Sequence, residues 1–259
     1  MILTTEAAII ILLLLLFALS AYTFHKVRRV HLMQYDLQSQ YQRFPDTLNL
    51  TYQQLQAFTA LDRRLNLAYA LPPLRGWAAS PDFLLLLAEH VYRQKPEVVV
   101  ECSSGASTLV LAQCAKQNGR GHVYSLEHDA HYAEQTRQEL IKQDLQEWAT
   151  VIDAPLQEYS FAEQCYQWYK LNAEIQTKQI DMLIIDGPPA HLNRYARYPA
   201  GPLLLPLLNT NAVVFLDDAD RPDEQQIIST WMSEFSNLNS DKHNCEKGAV
   251  SLSNRESYI

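Results

Sequence analysis

Val98-Val-Val-Glu-Cys-Ser-Ser-Gly-Ala-Ser-Thr108 decides the fold of this chain. A β-branched run stops at an acid, Glu101, turns through small residues and continues into a helical pattern. The next strand pattern, Val123-Tyr-Ser-Leu126, ends in a second acid, Glu127. Strand, small-residue turn, helix, strand, acid is the layout of a nucleoside-binding α/β unit. The turn lets a ligand approach the backbone, and the second acid can accept hydrogen bonds from ribose hydroxyls. Glu127 stands 22 residues beyond Gly105, close to the roughly 20 expected of a ribose-binding acid. A nicotinamide dinucleotide needs a pyrophosphate cradle with several glycines at a helix start. This turn has only Gly105 and begins with an acid, which favours a phosphate-free ligand whose ammonium Glu101 can accept.

Outward from this unit, strands and helices alternate. Ser80-Pro-Asp82 predicts a helix start, with a hydroxyl cap, proline at the first position and an acid at the positive dipole end. The helix runs from Phe83 to Arg93. Val98–Val100 reads as a strand, Ser107–Asn118 as a helix stopped by Gly119, His122–Leu126 as a strand and Ala130–Gln143 as a helix. Ala149–Ile152, Ile180–Ile185 and Ala212–Leu216 read as strands, the second apolar nearly throughout as a buried parallel strand should be. Asp223–Phe235 is a helix with Ile227, Ile228, Trp231, Met232 and Phe235 on one face. The alternation predicts an α/β fold: a doubly wound, mostly parallel sheet with ligands at the carboxyl ends of its strands. Glu158 to Lys178 is long and aromatic without periodicity, and reads as a lid or an irregular packing segment. The end of the chain is short for a closing hairpin, and Gly248–Leu252 reads as the last strand.

The chain has 259 residues, 47% of them hydrophobic, and a formal net charge of −8. It has no Lys/Arg cluster beyond the one near residue 28, which excludes sequence-independent nucleic-acid binding. The four cysteines form no Cys-x-x-Cys pair and read as core thiols rather than disulfides or a zinc site. Ala7 to Phe24 carries no charge and is near the ~20 apolar residues that cross a bilayer. His25, Lys26, Arg28, Arg29 and His31 follow at once, so the segment predicts a single-pass transmembrane helix with the main domain in the cytoplasm. A cleaved signal peptide, with Ala18-Leu-Ser20 at its cleavage site, is the competing reading, but positive charge before the apolar run is missing. Residues 1–24 are thus an anchor, 25–70 a helical stalk of two amphipathic pieces broken at Pro45, and 71–259 the main domain.

Four stretches in order carry a family resemblance: Arg75-Gly-Trp-Ala-Ala-Ser-Pro81, Glu101–Thr108, Ser125-Leu-Glu-His-Asp129, and the pair Ile185-Asp-Gly-Pro-Pro189 with Leu216-Asp-Asp-Ala-Asp220. From Leu71 to Leu252 the chain resembles the class I S-adenosylmethionine-dependent methyltransferases, on a Rossmann-like fold, and looks most like their small-molecule and sugar O-methyltransferase branch. The resemblance implies that Glu101 and the backbone of Ser103 to Gly105 surround the methionine part of S-adenosylmethionine. It implies that Glu127, with His128 beside it, holds the ribose, that Asp153 and Ala154 lie near adenine, and that Asp186 faces the methyl-transfer site. The family usually has glycine where this chain has Ser103; a side chain there crowds the ligand if the backbone needs positive φ.

Asp186, Asp217 and Asp218 end two neighbouring predicted strands. Three converging carboxylates suit Mg²⁺ or another hard divalent ion, which would lower the pKa of a substrate hydroxyl. The bland reading is that Asp217 and Asp218 cap the next helix, with Asp220, Asp223 and Glu224 its solvated first turn. For Glu101 it is a loop-tying carboxylate. His191 and His128 are candidate general bases. Arg194, Tyr195 and Arg197 read either as an anion-binding group or as a solvated loop. The predicted function is methyl transfer from S-adenosylmethionine to an oxygen of a small molecule or glycan at the cytoplasmic membrane face. Two alternatives stay open: a binding or scaffold protein that has lost catalysis, motivated by Ser103, and a nucleotide-sugar or nicotinamide enzyme on a similar fold. The oligomeric state is not fixed by the sequence.

Overall fold

The computed structural model describes residues 4–161 and 164–254; expectations for residues 1–3, 162–163 and 255–259 lie outside the described residues. The chain divides into two units, residues 1–52 and Gln53–Ile259. From Thr5 onward the first is helical and belongs to α1, Thr5–Leu65. An 18-residue window of this helix has a mean hydropathy of 2.6 and is not covered by protein, so by length and composition it is able to cross a membrane. The expected break at Pro45 is corrected: the proline lies inside the helix. It removes one backbone donor, which the flanking helical bonds outlast.

The second unit is built on a seven-stranded sheet. Its elements are α2 (Pro81–Gln94), β1 (Val98–Cys102), α3 (Ala106–Asn118), β2 (His122–Glu127), α4 (Ala130–Lys142) and β3 (Ala149–Asp153), followed by β4 (Leu156–Phe161), β5 (Gln164–Tyr169), α5 (Ala173–Gln176), β6 (Ile180–Ile185), α6 (Ala200–Leu204), β7 (Leu208–Asp217), α7 (Pro222–Glu234), β8 (Leu238–His243) and β9 (Ala249–Asn254). The sheet order is β3-β2-β1-β6-β7-β9-β8. β1, β2, β3, β6 and β7 run parallel, and β9 pairs antiparallel with both β7 and β8. Winding reverses between β1 and β6, the switch point at which such sheets bind ligands.

Alternation along the strands builds two cores, one on each face. Val99, Met182, Ile184 and Phe215 enter one, while Val100, Leu183, Ile185, Val214 and Leu216 enter the other. The first core takes α2, α3 and the α1 residues Leu61 and Leu65; the second takes Trp168, Tyr169 and Trp231. Gln113 and Gln117 of α3 each donate to the Leu65 carbonyl at 2.6 Å, satisfying the last turn of α1. Ser80 is the N-cap of α2, but its hydroxyl donates to Asp82 (2.6 Å), and Asp82 Oδ1 accepts the Phe83 N–H instead.

Two segments differ from the sequence reading. Glu158 to Lys178 contains most of a separate two-stranded antiparallel hairpin, β4 with β5, and the short helix α5. The end of the chain does close as a hairpin, because Leu238–His243 forms the edge strand β8. At the opposite edge, Arg137 of α4 donates to the Val151 carbonyl of β3 (2.9 Å) and to Asp153 (2.7 Å). The cysteines are all free, although Cys165 is exposed rather than in the core.

Candidate active site

A cleft of about 1050 Å³ opens at the carboxyl ends of β1, β2, β6 and β7. One wall is the Ser103–Gly105 turn that leads from β1 into α3. Ser103 donates its N–H to the Leu126 carbonyl (3.1 Å), which turns the chain sharply after β1. Gly105 has φ of +148°, and a Cβ there would meet no atom within 4 Å. Only a residue without a side chain takes that conformation without strain. Its N–H donates to Thr108 Oγ1 at 3.1 Å, closing the first turn of the helix.

Glu101 lies beneath this turn and is fully buried. Its Oε2 accepts the Thr108 and Ser125 hydroxyls, both at 2.7 Å. It therefore ties β1 to β2 and α3, and it is not among the residues that line the cleft. Burial raises its pKa against the pull of the Ser107, Thr108 and Ser125 hydroxyls. Its Oε1 has no partner among the described residues.

Glu127, the last residue of β2, does line the cleft although it is only 5% exposed. Its Oε2 accepts both the N–H and the hydroxyl of Ser104 at 3.0 Å. Its Oε1 accepts the Asp129 N–H at 3.0 Å and lies 3.1 Å from His128 Nδ1. Burial disfavours the charge, but His128 and these donors outweigh it and hold Glu127 below the usual carboxylate range. A carboxylate fixed in place and kept ionised at a cleft wall is an acceptor for vicinal hydroxyls. Ser104 was expected only as part of the ligand-facing turn; its bonds to Glu127 add an anchoring role.

At the other end of the cleft the three expected acids converge. Asp186 follows β6, Asp217 ends β7, and Asp218 comes next in a left-handed conformation, φ +58°. One oxygen from each lies within 4.8 Å of the others. The residue that the sequence reading left open is Arg197, which the structure buries among them at 3% exposure. Its Nη2 donates to Asp218 Oδ2 (2.7 Å), the Asp186 carbonyl (3.0 Å) and Asp186 Oδ1 (3.3 Å). Its Nη1 donates to the Asp217 carbonyl at 2.8 Å. Its Nε stands 3.8 Å from Glu224, which is 2% exposed and so not part of a solvated first turn. Arg221 adds a second guanidinium, 2.8 Å from Asp218 Oδ2.

Three carboxylates, Asp186, Asp218 and Glu224, thus share two guanidinium groups, with the Asp217 carboxylate beside them. Burial first, then the Asp217 charge, puts the Asp186 pKa well above the usual range. Burial and Asp218 push Asp217 up to about 6, and burial raises Glu224. Burial opposes the charge on Arg197, but the surrounding acids reverse this and hold it firmly protonated. Both Asp217 oxygens, Asp218 Oδ1 and Glu224 Oε2 lack hydrogen-bond partners among the described residues. A divalent ion needs its oxygen ligands turned onto it at about 2.1 Å for Mg²⁺. Here Asp218 Oδ2 and Asp186 Oδ1 are already turned onto Arg197. As arranged, the trio encloses a guanidinium and does not fit a bare divalent ion.

The remaining expected residues fall into two groups. His128 and His191 line the cleft; the His128 ring meets Tyr169 edge-on at 5.9 Å, and His191 meets Trp77 at 6.0 Å. Asp153 and Ala154 do not line it. Asp153 is exposed and pairs with Arg137, while Ala154 is buried and donates its N–H to the Glu127 carbonyl at 2.7 Å. Tyr169, fully enclosed on the second core, also borders the cleft. A Cβ on Gly187 would collide with its hydroxyl, so glycine is what lets the β6 turn pass this ring.

Ser103 adopts φ of +130°, a backbone region in which a non-glycine residue carries about 1–3 kcal/mol of strain. Ser103→Gly is expected to raise Tm by about 3 °C, as about 1 kcal/mol does in a domain of this size. Thermal melts of the full-length chain in detergent micelles check this. An unchanged or lower Tm would show that the serine is unstrained.

Residues 100–219 match the family described as methyltransferase domain. No curated protein matches the chain significantly. Among solved structures, an S-adenosylhomocysteine-bound methyltransferase from Podospora anserina superposes with a TM-score of 0.54 at 14% identity, over 76% of this chain and 87% of that one. A methyltransferase from Geobacter sulfurreducens gives 0.51 at 14% identity, over 78% and 89%. An O-methyltransferase from Bacillus cereus, in complex with S-adenosylhomocysteine, gives 0.50 at 16% identity, over 76% and 90%. At these identities the likeness shows the fold. The second unit thus has the class I S-adenosylmethionine-dependent methyltransferase fold, and its residues 100–219, which span the strands that form the cleft, match the methyltransferase-domain family.

Proposed function

We propose that the chain is an S-adenosylmethionine-dependent O-methyltransferase acting on a small molecule or glycan at the cytoplasmic face of a membrane. The observation that carries this reading is Glu127: ionised, fixed by Ser104 and Asp129, and set in the cleft wall beside the Ser103–Gly105 turn. The residues present fit the cofactor. Gly105 leaves open space where a side chain would stand, and the cleft volume exceeds the several hundred Å³ that a nucleoside ligand fills.

When bound, S-adenosylmethionine supplies an electrophilic methyl group on a sulfonium centre. The chain's own work is to hold, orient and deprotonate. Glu127 accepts from the ribose hydroxyls, with His128 beside it. The open space at Gly105 allows close approach to the backbone. Glu101 stiffens this turn from below. Asp186, at the far end of the cleft, faces the acceptor. Its ionised form has a raised affinity for the proton of an acceptor hydroxyl, and His191 at the exposed rim is the second candidate base. Alignment of acceptor and methyl group within the cleft provides the remaining rate. For the membrane, the support is the apolar window of α1 with Lys26, Arg28 and Arg29 just beyond it. The anchor is residues 1–24, the stalk 25–70 and the transferase domain 71–259.

Calorimetric titration of S-adenosylhomocysteine into the full-length chain in detergent micelles tests the cofactor. Micromolar binding, about −8 kcal/mol, is the expected result. A folded chain that binds none would leave the scaffold reading that Ser103 motivates, and preference for a pyrophosphate ligand would favour the nucleotide-sugar alternative. Sedimentation with membranes through alkaline carbonate tests the anchor; release into the supernatant would refute it.

A further inference from the structure

We propose that Arg197 takes the place of a divalent cation between the ends of β6 and β7, as a positioning residue that sets Asp186 for the acceptor. This deepens the acceptor-site reading above. Three observations carry it. The first is location: one nitrogen, Nη2, lies 2.7 Å from Asp218 Oδ2 and 3.3 Å from Asp186 Oδ1, so it bridges two of the three acids that would ligate a metal. The second is fixation. The same guanidinium donates to the Asp186 carbonyl at 3.0 Å and to the Asp217 carbonyl at 2.8 Å. It therefore staples the two strand ends through backbone as well as side chain, and at 3% exposure it is enclosed. A planar fork with five donors makes such bonds; a spherical ion surrounded by oxygens does not. The third is the fate of the other ligands. Asp218 is further held by Arg221, and Asp217 is fully enclosed and does not line the cleft.

The chemical consequence follows from the cation's nature. A metal ion offers open coordination positions to an acceptor and can be removed by a chelator. A guanidinium offers a fixed positive charge and cannot be stripped. Arg197 borders the cleft but is enclosed, so its charge acts on the acceptor through Asp186, which is held against it.

The test is manganese binding, followed by the loss of the free-ion electron paramagnetic resonance signal, on the full-length chain in detergent micelles. Wild type, Asp217→Asn, Arg197→Lys and Arg197→Ala are compared. Wild type and Asp217→Asn are expected to match, with no Asp217-dependent site below about 1 mM Mn²⁺. Arg197→Ala is expected to gain one site at least about tenfold tighter, with a Tm that Mn²⁺ raises. Arg197→Lys, which keeps the charge, should gain none; a merely structural arginine would not produce this pattern. A wild-type site that Asp217→Asn abolishes would overturn the proposal, and this comparison decides alone if Arg197→Ala does not fold. S-adenosylhomocysteine binding is measured on the same samples, so failure of the cofactor reading is seen separately.

Discussion

Glu127→Ala is expected to weaken S-adenosylhomocysteine binding by more than a hundredfold. The carboxylate is ionised at neutral pH and fixed by three donors from Ser104 and Asp129. Hydrogen bonds to a charged acceptor contribute about 1.5–3 kcal/mol each. Two ribose hydroxyls on one carboxylate therefore account for about 3 kcal/mol or more, and each 1.4 kcal/mol is tenfold. Alanine also strands the Ser104 and Asp129 N–H groups, so the turn loosens as the acceptor is lost. Glu127→Gln separates the two effects. It keeps the shape and one acceptor oxygen, and should fall between wild type and alanine. Calorimetry measures the affinities, and circular dichroism confirms that each variant is folded. A folded alanine variant that binds within threefold of wild type would remove Glu127 from the ribose site.

Asp217→Asn is expected to raise stability at pH 7.5 and to flatten its dependence on pH. The folded pKa of Asp217 is about 6, against an ordinary 3.8, because burial and Asp218 both disfavour the charge. The folded chain thus binds this proton more tightly than the unfolded one. Its contribution is fully present below about pH 4 and is lost as pH rises through 6. Two pKa units correspond to about 3 kcal/mol at neutral pH. Asparagine never ionises and so escapes that penalty, although its amide needs a partner in the same enclosed space. The variant should melt about 5 °C above wild type at pH 7.5 and near it at pH 4.5. Thermal melts across this range check the slope. A variant that melts lower than wild type at pH 7.5 would mean that Arg197 and Lys247 stabilise the ionised Asp217 by more than burial and Asp218 oppose it.

Much of this was legible in the sequence because the parallel strands are buried on both faces. Val98–Val100 is apolar without interruption and Ile180–Ile185 is broken only by Asp181, and Gly119 and Pro81 mark helix ends locally. Glu127 could be placed because its role depends on position after a strand. The β4–β5 hairpin was not legible, since Tyr166, Trp168 and Tyr169 are buried on both sides of the strand and erase its alternation. β8 was missed for the opposite reason: it is a polar edge strand in which only Leu238 is buried. Arg197 was ambiguous because a buried cation is defined by its partners. Those partners come from the end of β6, the end of β7 and the start of α7, which the topology brings together and the sequence keeps apart.

The two edges of the sheet have a consequence for encounters between copies of the chain. A bare strand edge is a template for pairing with another chain. β8 presents exposed Ser240, Asp241 and Lys242 along one margin. Arg137 occupies the Val151 carbonyl on the other. Copies of the chain therefore meet charge at one margin and an already occupied carbonyl at the other where they might otherwise zip together.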